Sequence, residues 1–578
     1  MDRKGSKKQP TRAGRQKKRH FRGNRFTVEK DVEFTSTLSK KLKTSENTDF
    51  SVSREFSYCI LNFFSVFTTI ATLVVCKQCK SDIQFNQTSS RGLGFKIRVK
   101  CNCNEILINS SPFINKAFEI NRRIVFVFRL LGVAREGINL FCGYMDIYQG
   151  ISTNIYYSCL DNIYIAASSV YKVILKSAMA DEKIKNKEAG NIENHLTVSG
   201  DGTWKKRGYS SLFGVSTLIG KYSKKVLDSV VKSSFCQECN LWNNKKNENI
   251  DEYNEWYDIH EENCAINHNG SAGKMEIDAI TEMFLRSKNE HGVLYVKYIG
   301  DGDSKTFKGI LDVNPYGDEA TVLKKECVDH VERRMGRRLR YIKKSNKVIG
   351  SKGAKKLADK MIGELTKYYG LAIRKHPDSV EDMKKEIWAT YYHKSSTDES
   401  LQHQNCPEGE NSWCKWRKAE AAGTIASFQH SDSPLNSNVW EIIKPIYENL
   451  SSDELLERCL DAETQINNES LNALIWNFAP KHLHCVAKTI EIATFLAVII
   501  FNEGFLPILK VMDVMGVTIG QQAEMHAHSR NEARIRRSEE CSSDFGKDQR
   551  PQLRDERAAL HDMYEEEEGA LYGPGIAD

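Results

Sequence analysis

The chain has 578 residues, too many for one hydrophobic core, so about three or four folded units are expected. Its 40% apolar and 28% charged residues exclude a wholly disordered protein, and 36 Gly with only 11 Pro exclude a collagen-like one. The net charge of +7 is unevenly placed: residues 1–25 hold eleven Lys/Arg and one Asp, leaving the remainder slightly acidic. Such a head meets phosphate backbones or acts as a nuclear address, the plain alternative being a solvated tail.

Residues 1–50 read as a basic, disordered arm. The arm has no apolar stretch and is not a secretory signal, so the sixteen Cys read as reduced thiols and metal ligands rather than disulfides. Ser57 to Val75 is uncharged and near membrane-span length, but it contains Asn62 and runs into a Cys pair. A buried helix–strand leading into a zinc module is expected there, with no membrane contact. Within 55–110, Cys76-x-x-Cys79 and Cys101-x-Cys103 lie 21 residues apart, a zinc-ribbon-like arrangement whose second pair is one residue short of the usual spacing. Residues 115–190 form a helical linker.

The pattern then turns to strands. HLTVSGD (195–201), SSLFGVSTLIG (210–220) and KKVLDSVVKSS (224–234) predict a three-strand antiparallel meander. An insert at 235–270 carries Cys236-x-x-Cys239 and His260-x-x-x-Cys264, spaced for a CCHC zinc site, with His268 as an alternative to His260. The competing reading is an unligated polar loop, which has little apolar content to order it without metal. A helix over 272–288 and a strand, GVLYVKYIGD (292–301), follow. Helical patterns fill about 320–460, with an insertion at 345–460. His403-x-x-Cys406 and Cys414, with His393 as a fourth donor, form a third candidate zinc group. A long helix is expected over 471–501, then a C-terminal helical and acidic tail at 506–578.

Three strands, a helix and a further strand are the opening elements of an RNase H-like α/β fold. There an acid on the first strand and an acid ending the fourth lie side by side. Asp201 ends the first predicted strand and Asp301 the fourth, with Asp303 the rival for the second role. Adjacent carboxylates suit hard divalent cations, and two such ions can activate a hydroxyl and stabilise a leaving phosphate oxygen. Taken alone, Asp201-Gly202 and Asp301-Gly302 are ordinary turn formers.

The third acid carries more. In TQINNESLNALIW (464–476), Thr464, Glu469 and Asn472 match the T-x-N-x-x-E-x-x-N stretch of Mutator-like transposases, with Ile466 where the first Asn belongs. Cys327-x-x-His330 occupies the place of that family's Cys-x-x-His. DGTWKKRGYSSLFGV, AGKMEIDAI, YIGDGDSKTF, CPEGENSWCKW and APKHLHC resemble the blocks of the eukaryotic branch in order, over roughly Tyr164 to Glu503. The resemblance implies a DDE transposase domain over 191–505, an RNase H-like core with a helical insertion before the last acid. It further implies Asp201, Asp301 and Glu469 as the ligands of Mg²⁺ or Mn²⁺, and hydrolysis at a transposon end followed by strand transfer to target DNA. Terminal repeats and target DNA are the implied partners, a homo-oligomer on DNA the implied assembly, and the nucleus the implied location. The alternative is a transposase-derived DNA-binding protein without strand transfer. Cys327 and His330 are expected near the active site, as metal donors or packing. Trp204 and Arg207, together with Arg333, Arg334, Arg337 and Arg338 of the basic run RRMGRRLRYIKK, are the expected DNA contacts, the other readings being core packing for Trp204 and a solvated helix face for the basic run.

Overall fold

The structure, a computed structural model, describes residues 50–114, 117–147, 150–206, 211–300, 304–346, 355–410, 412–430 and 435–543. The basic head, Asp301, Asp303 and Arg207 lie outside the described residues.

The chain opens with β1 (Val52–Ser53) and α1 (Phe63–Ala71), then the strands β2 (Gln84–Arg91), β3 (Gly94–Lys100) and β4 (Glu105–Asn109) of a small antiparallel sheet. The short pair β5 (Phe113–Ile114) and β6 (Ala117–Phe118) leads into α2 (Glu119–Leu130), α3 (Arg135–Tyr144) and the 36-residue α4 (Thr153–Glu188). Contrary to expectation, the apolar run at 57–75 is not buried. Its helix has nine residues, none of them buried, and at 1.5 Å per residue it is far too short to span a bilayer. Phe63 and Phe67 rest on Phe95 and Phe85 of the sheet, ring centroids 5.9 and 5.2 Å apart. The hairpin tip between β2 and β3 is tied to α2 by Asn121, which accepts from the Leu93 amide (2.9 Å) and donates to the Arg91 carbonyl (2.8 Å).

The central sheet has five strands: β7 (His195–Trp204), β8 (Phe213–Gly220), β9 (Val226–Ser233), β10 (Leu294–Gly300) and β11 (Leu323–Glu326). Their spatial order is β9-β8-β7-β10-β11. The meander β7–β9 is antiparallel, and β10 and β11 add in parallel. The insert after β9 forms α5 (Gln237–Glu248) and α6 (Ile250–His260), and α7 (Ala272–Arg286) and α8 (Ser304–Val313) flank β10. Every residue of β8 is buried, as expected for a strand covered on both faces. One face, through Leu196, Val198 and Leu218, packs on Ala279, Ile280 and Met283 of α7. The other, through Val215 and Ile219, packs on α4 and on α16 (Ala487–Glu503), which is apolar on nearly all sides. Helix α4 is long and apolar enough to cross a membrane, but half of that stretch is buried inside this fold.

A separate helical core is built from α9 (Val328–Ser345), α10 (Asp359–Lys375), α11 (Val380–Ser395), α13 (Ser437–Leu450) and α14 (Asp453–Cys459), with the short α12 (Lys415–Ala421) beside it. The chain then returns to the sheet with α15 (Ile466–Phe478), α16, α17 (Leu506–Val514), β12 (Ile519–Gly520) and α18 (Gln521–Ser542). The single helix expected over 471–501 is therefore two. Pro480 lacks an amide donor and forces Ala479 out of helical geometry.

Candidate active site and metal centres

Strand β7 does not stop at Asp201. It pairs with β8 through Trp204, with Asp201 opposite Thr217, so the Asp-Gly pair is strand, not turn. Alternation sends Ser199, Asp201 and Thr203 to one face, where α15 lies along them. Asn468, fully buried, accepts from the Ser199 hydroxyl (2.9 Å) and donates to the Ser199 carbonyl (3.3 Å). Asn472 donates to Asp201 Oδ2 (2.6 Å), and the Trp476 indole donates to Thr203 (2.8 Å). Gln465 completes the seam by donating to the Gly200 carbonyl at 2.6 Å. Glu469 stands in the first turn of this helix, its side chain 56% exposed and 3.4 Å from Arg333 of α9. On the opposite face, a Cβ at Gly200 would lie 2.5 Å from the Tyr298 ring and one at Gly202 2.6 Å from a Glu276 oxygen. Gly200 is thus required by close approach to the buried Tyr298 ring, whereas at 202 the flexible Glu276 side chain would have to swing aside.

Three Cys/His groups each bring four donor atoms within 4.8 Å of one another, a spacing that can hold a zinc ion. Cys76 and Cys79 sit on a turn closed by the Lys80 amide on the Cys76 carbonyl. Cys101 and Cys103 sit in the turn between β3 and β4, with Cys103 Sγ 3.6 Å from Cys76 Sγ. The Ser81 hydroxyl and amide hold the Cys79 thiol down to about 6, while the neighbouring thiols of Cys101, Cys79 and Cys76 push Cys103 up to about 12. In the second group, His260 Nε2 lies 3.4 Å from Cys236 and 3.3 Å from Cys239, which is 3.5 Å from Cys264. Burial works to raise the Cys236 thiol, yet the amides of Cys239, Ala265 and Glu238 bring it down to about 7. Glu238 meets His260 Nδ1 at 2.7 Å and fixes the ring. In the third, His393, His403, Cys406 and Cys414 converge at the edge of the helical core. Burial first, then neighbouring positive charge, holds both imidazoles down to about 4, so they are neutral at pH 7, the form that ligates metal.

A family model described as Mutator-like transposase matches residues 58–414, more than half of the chain. The chain belongs to the Mutator-like transposase family. No curated protein and no solved structure matches it. The match covers the small N-terminal sheet, the five-stranded sheet and all three Cys/His groups, and stops before the helix that carries Glu469. It begins and ends earlier than the stretch of text resemblance, which ran from Tyr164 to Glu503.

In this Mutator-like chain several expected site residues are engaged otherwise. His268 stands apart from the second group, contacting the Ser271 carbonyl (3.1 Å) and Asp278 (3.1 Å). Cys327 caps α9, fully buried, its thiol raised to about 11 by burial. Neither it nor His330 belongs to a four-donor group among the described residues. The Trp204 indole donates to the Ala272 carbonyl at 2.8 Å. Of the four arginines, Arg333, Arg337 and Arg338 are exposed. Arg334 turns inward to Glu326 (2.6 Å), whose carboxylate, 2% exposed at the end of β11, also faces Lys324 and Arg458. That buried carboxylate joins the sheet to α9 and α14, and nothing in local sequence marked it. His430 was also missed: its Nε2 is 2.7 Å from His403 Nε2 and its Nδ1 is 2.6 Å from Asp398, an outer shell for the third group.

Proposed function

We propose that this chain is a DDE transposase built on an RNase H-like core, cutting DNA at transposon ends and joining the freed 3′-hydroxyl to target DNA in the nucleus. The carrying observation is the Asn472–Asp201 hydrogen bond, which docks the Glu469 helix on a strand 271 positions away in sequence. The strand order β9-β8-β7-β10-β11, an antiparallel meander extended by two parallel strands, supports the core assignment. Asp201, Asp301 and Glu469 would hold Mg²⁺ or Mn²⁺. The donors are hard oxygens, and the Asn472 amide oxygen beside Asp201 is buried without a hydrogen-bond partner, a polar atom suited to a cation's surroundings. Such ions, when bound, supply charge neutralisation and an activated nucleophile for phosphodiester displacement. The chain's own part is placement: Asn472 orients the Asp201 carboxylate, and Asn468 and Gln465 fix the helix from which Glu469 projects. The exposed Arg333, Arg337 and Arg338 of α9 offer phosphate contacts next to that acid, and the basic head adds sequence-independent affinity.

The test is cleavage and joining of a terminal-repeat substrate with Mg²⁺ or Mn²⁺. Asp201→Asn, Asp301→Asn and Glu469→Gln are each expected to abolish both steps while DNA binding persists. Full strand transfer by any of these variants removes that residue from the triad, and loss in Asp303→Asn with retention in Asp301→Asn reassigns the second acid.

A further inference from the structure

The small N-terminal sheet has two edges of opposite character. The β2 edge, QFNQTSSR, is polar, and its pairing register breaks between Thr88 and Arg91, where Ser89 takes φ 51°. Polarity and a bulge are the usual protections of an open edge. The β4 edge, EILIN, has neither. Its register with β3 is unbroken, all five residues are exposed, and Ile106, Leu107 and Ile108 are 55%, 47% and 50% exposed. No strand pairs with its outer side among the described residues. A regular apolar edge with free hydrogen-bonding capacity calls for another strand.

We propose that β4 pairs antiparallel with β4 of a second copy of this chain, forming a continuous six-stranded sheet across a two-fold axis at Leu107. The segment is self-complementary in that register: Ile106 meets the partner's Ile108, Leu107 meets its own copy, and Glu105 meets Asn109, so no like charges face each other. Ile106 and Ile108 share a face with Val99 and Ile97 of β3, and a two-fold perpendicular to the sheet joins this apolar face to its equivalent. The basic side chains Lys96, Arg98 and Lys100 sit one strand in from the edge, on the other face. Three strand spacings of about 4.8 Å separate them from their copies, beyond the ~8 Å screening length. The pairing therefore buries apolar surface without opposing cations. Five strand residues alone make a small interface, so the association is expected to be concentration-dependent.

The measurement is sedimentation equilibrium on the full-length, zinc-loaded protein without DNA, with a short bismaleimide cross-linking series in parallel. Wild type should show a monomer–dimer equilibrium, and Ile108→Lys should shift it at least tenfold toward monomer with zinc content unchanged. Leu107→Cys should cross-link to a covalent dimer above the wild-type background. Asn109→Cys, whose copies lie apart in the proposed register, should cross-link far less. If Ile108→Lys loses zinc or structure, the cross-linking contrast decides. A wild type that stays monomeric throughout, an equilibrium unmoved by Ile108→Lys in a folded protein, or equal cross-linking of the two cysteine variants overturns the proposal.

Discussion

The first Cys/His group, four thiols, and the third, two thiols with two imidazoles, each offer four donors but in opposite settings. The N-terminal group closes a module whose helix buries no residue and whose edge strand is wholly exposed. The group at His393 borders a core in which Ile362, Leu365, Ile373, Met383, Ile387, Ile443 and Leu456 are all fully buried. Apolar burial is the main driving force of folding, so the second region can stand on its packing and the first cannot. A metal in the helical region would be a rivet; in the N-terminal module it would be a large part of the fold.

The sharpest way to break this contrast is to remove metal. Chelation, or Cys76→Ser with Cys101→Ser, should abolish amide-exchange protection across β2–β4 and leave that of α9–α14 largely in place. Equal loss in both regions would erase the distinction. Next in size, Ile443→Ala should cost the helical core about 2–5 kcal/mol through lost burial and a cavity, read as a lower unfolding midpoint. Acid should act on the same region. His393 and His403 are held near 4 against an ordinary value of 6.5, so between those pH values the unfolded chain binds protons that the folded one refuses. Stability is whole above about 6.5 and falls as pH drops toward 4, and a metal-free titration of helical circular dichroism measures it. The smallest effect belongs to Asn62, whose side chain accepts from the Ser65 amide at the start of α1. Asn62→Ala should remove about 1 kcal/mol from that helix, seen as faster exchange of its first turn.

Which of these features could be read from sequence follows from their range. Four strands of the central sheet, β7 to β10, were legible because their apolar runs are short and bounded by turn residues. Strand β11 was not, since Leu323–Glu326 lies where a helical pattern was expected and carries one apolar residue, and only pairing with β10 makes it a strand. The end of β7 was not, because Asp-Gly reads locally as a turn, and only pairing with β8 keeps it extended. The apolar run at 57–75 announced a helix but could not say what would cover it; the answer is two phenylalanines on a small sheet. The four-donor groups at Cys76 and Cys236 were spaced visibly in the chain. His430, Asp398 and Glu326 reach their partners through tertiary packing and leave no spacing to find. Asn468 stood next to a recognised motif residue, yet its role needed the register of helix on strand.

That register has a consequence for how the chain can change. Four residues of helix rise about 6.0 Å and two residues of strand about 6.6 Å, so Asn468, Asn472 and Trp476 fall in step with Ser199, Asp201 and Thr203. Helix and strand behave as two rulers whose marks coincide at that interval. Deleting or inserting one residue inside either element turns the following helical side chains by about 100° or flips the strand's to the other face, and every later mark misses. A change of length is therefore tolerable in the connections and not inside either element, and in this chain 271 positions separate Asp201 from Asn472 while the two stay in hydrogen-bond contact.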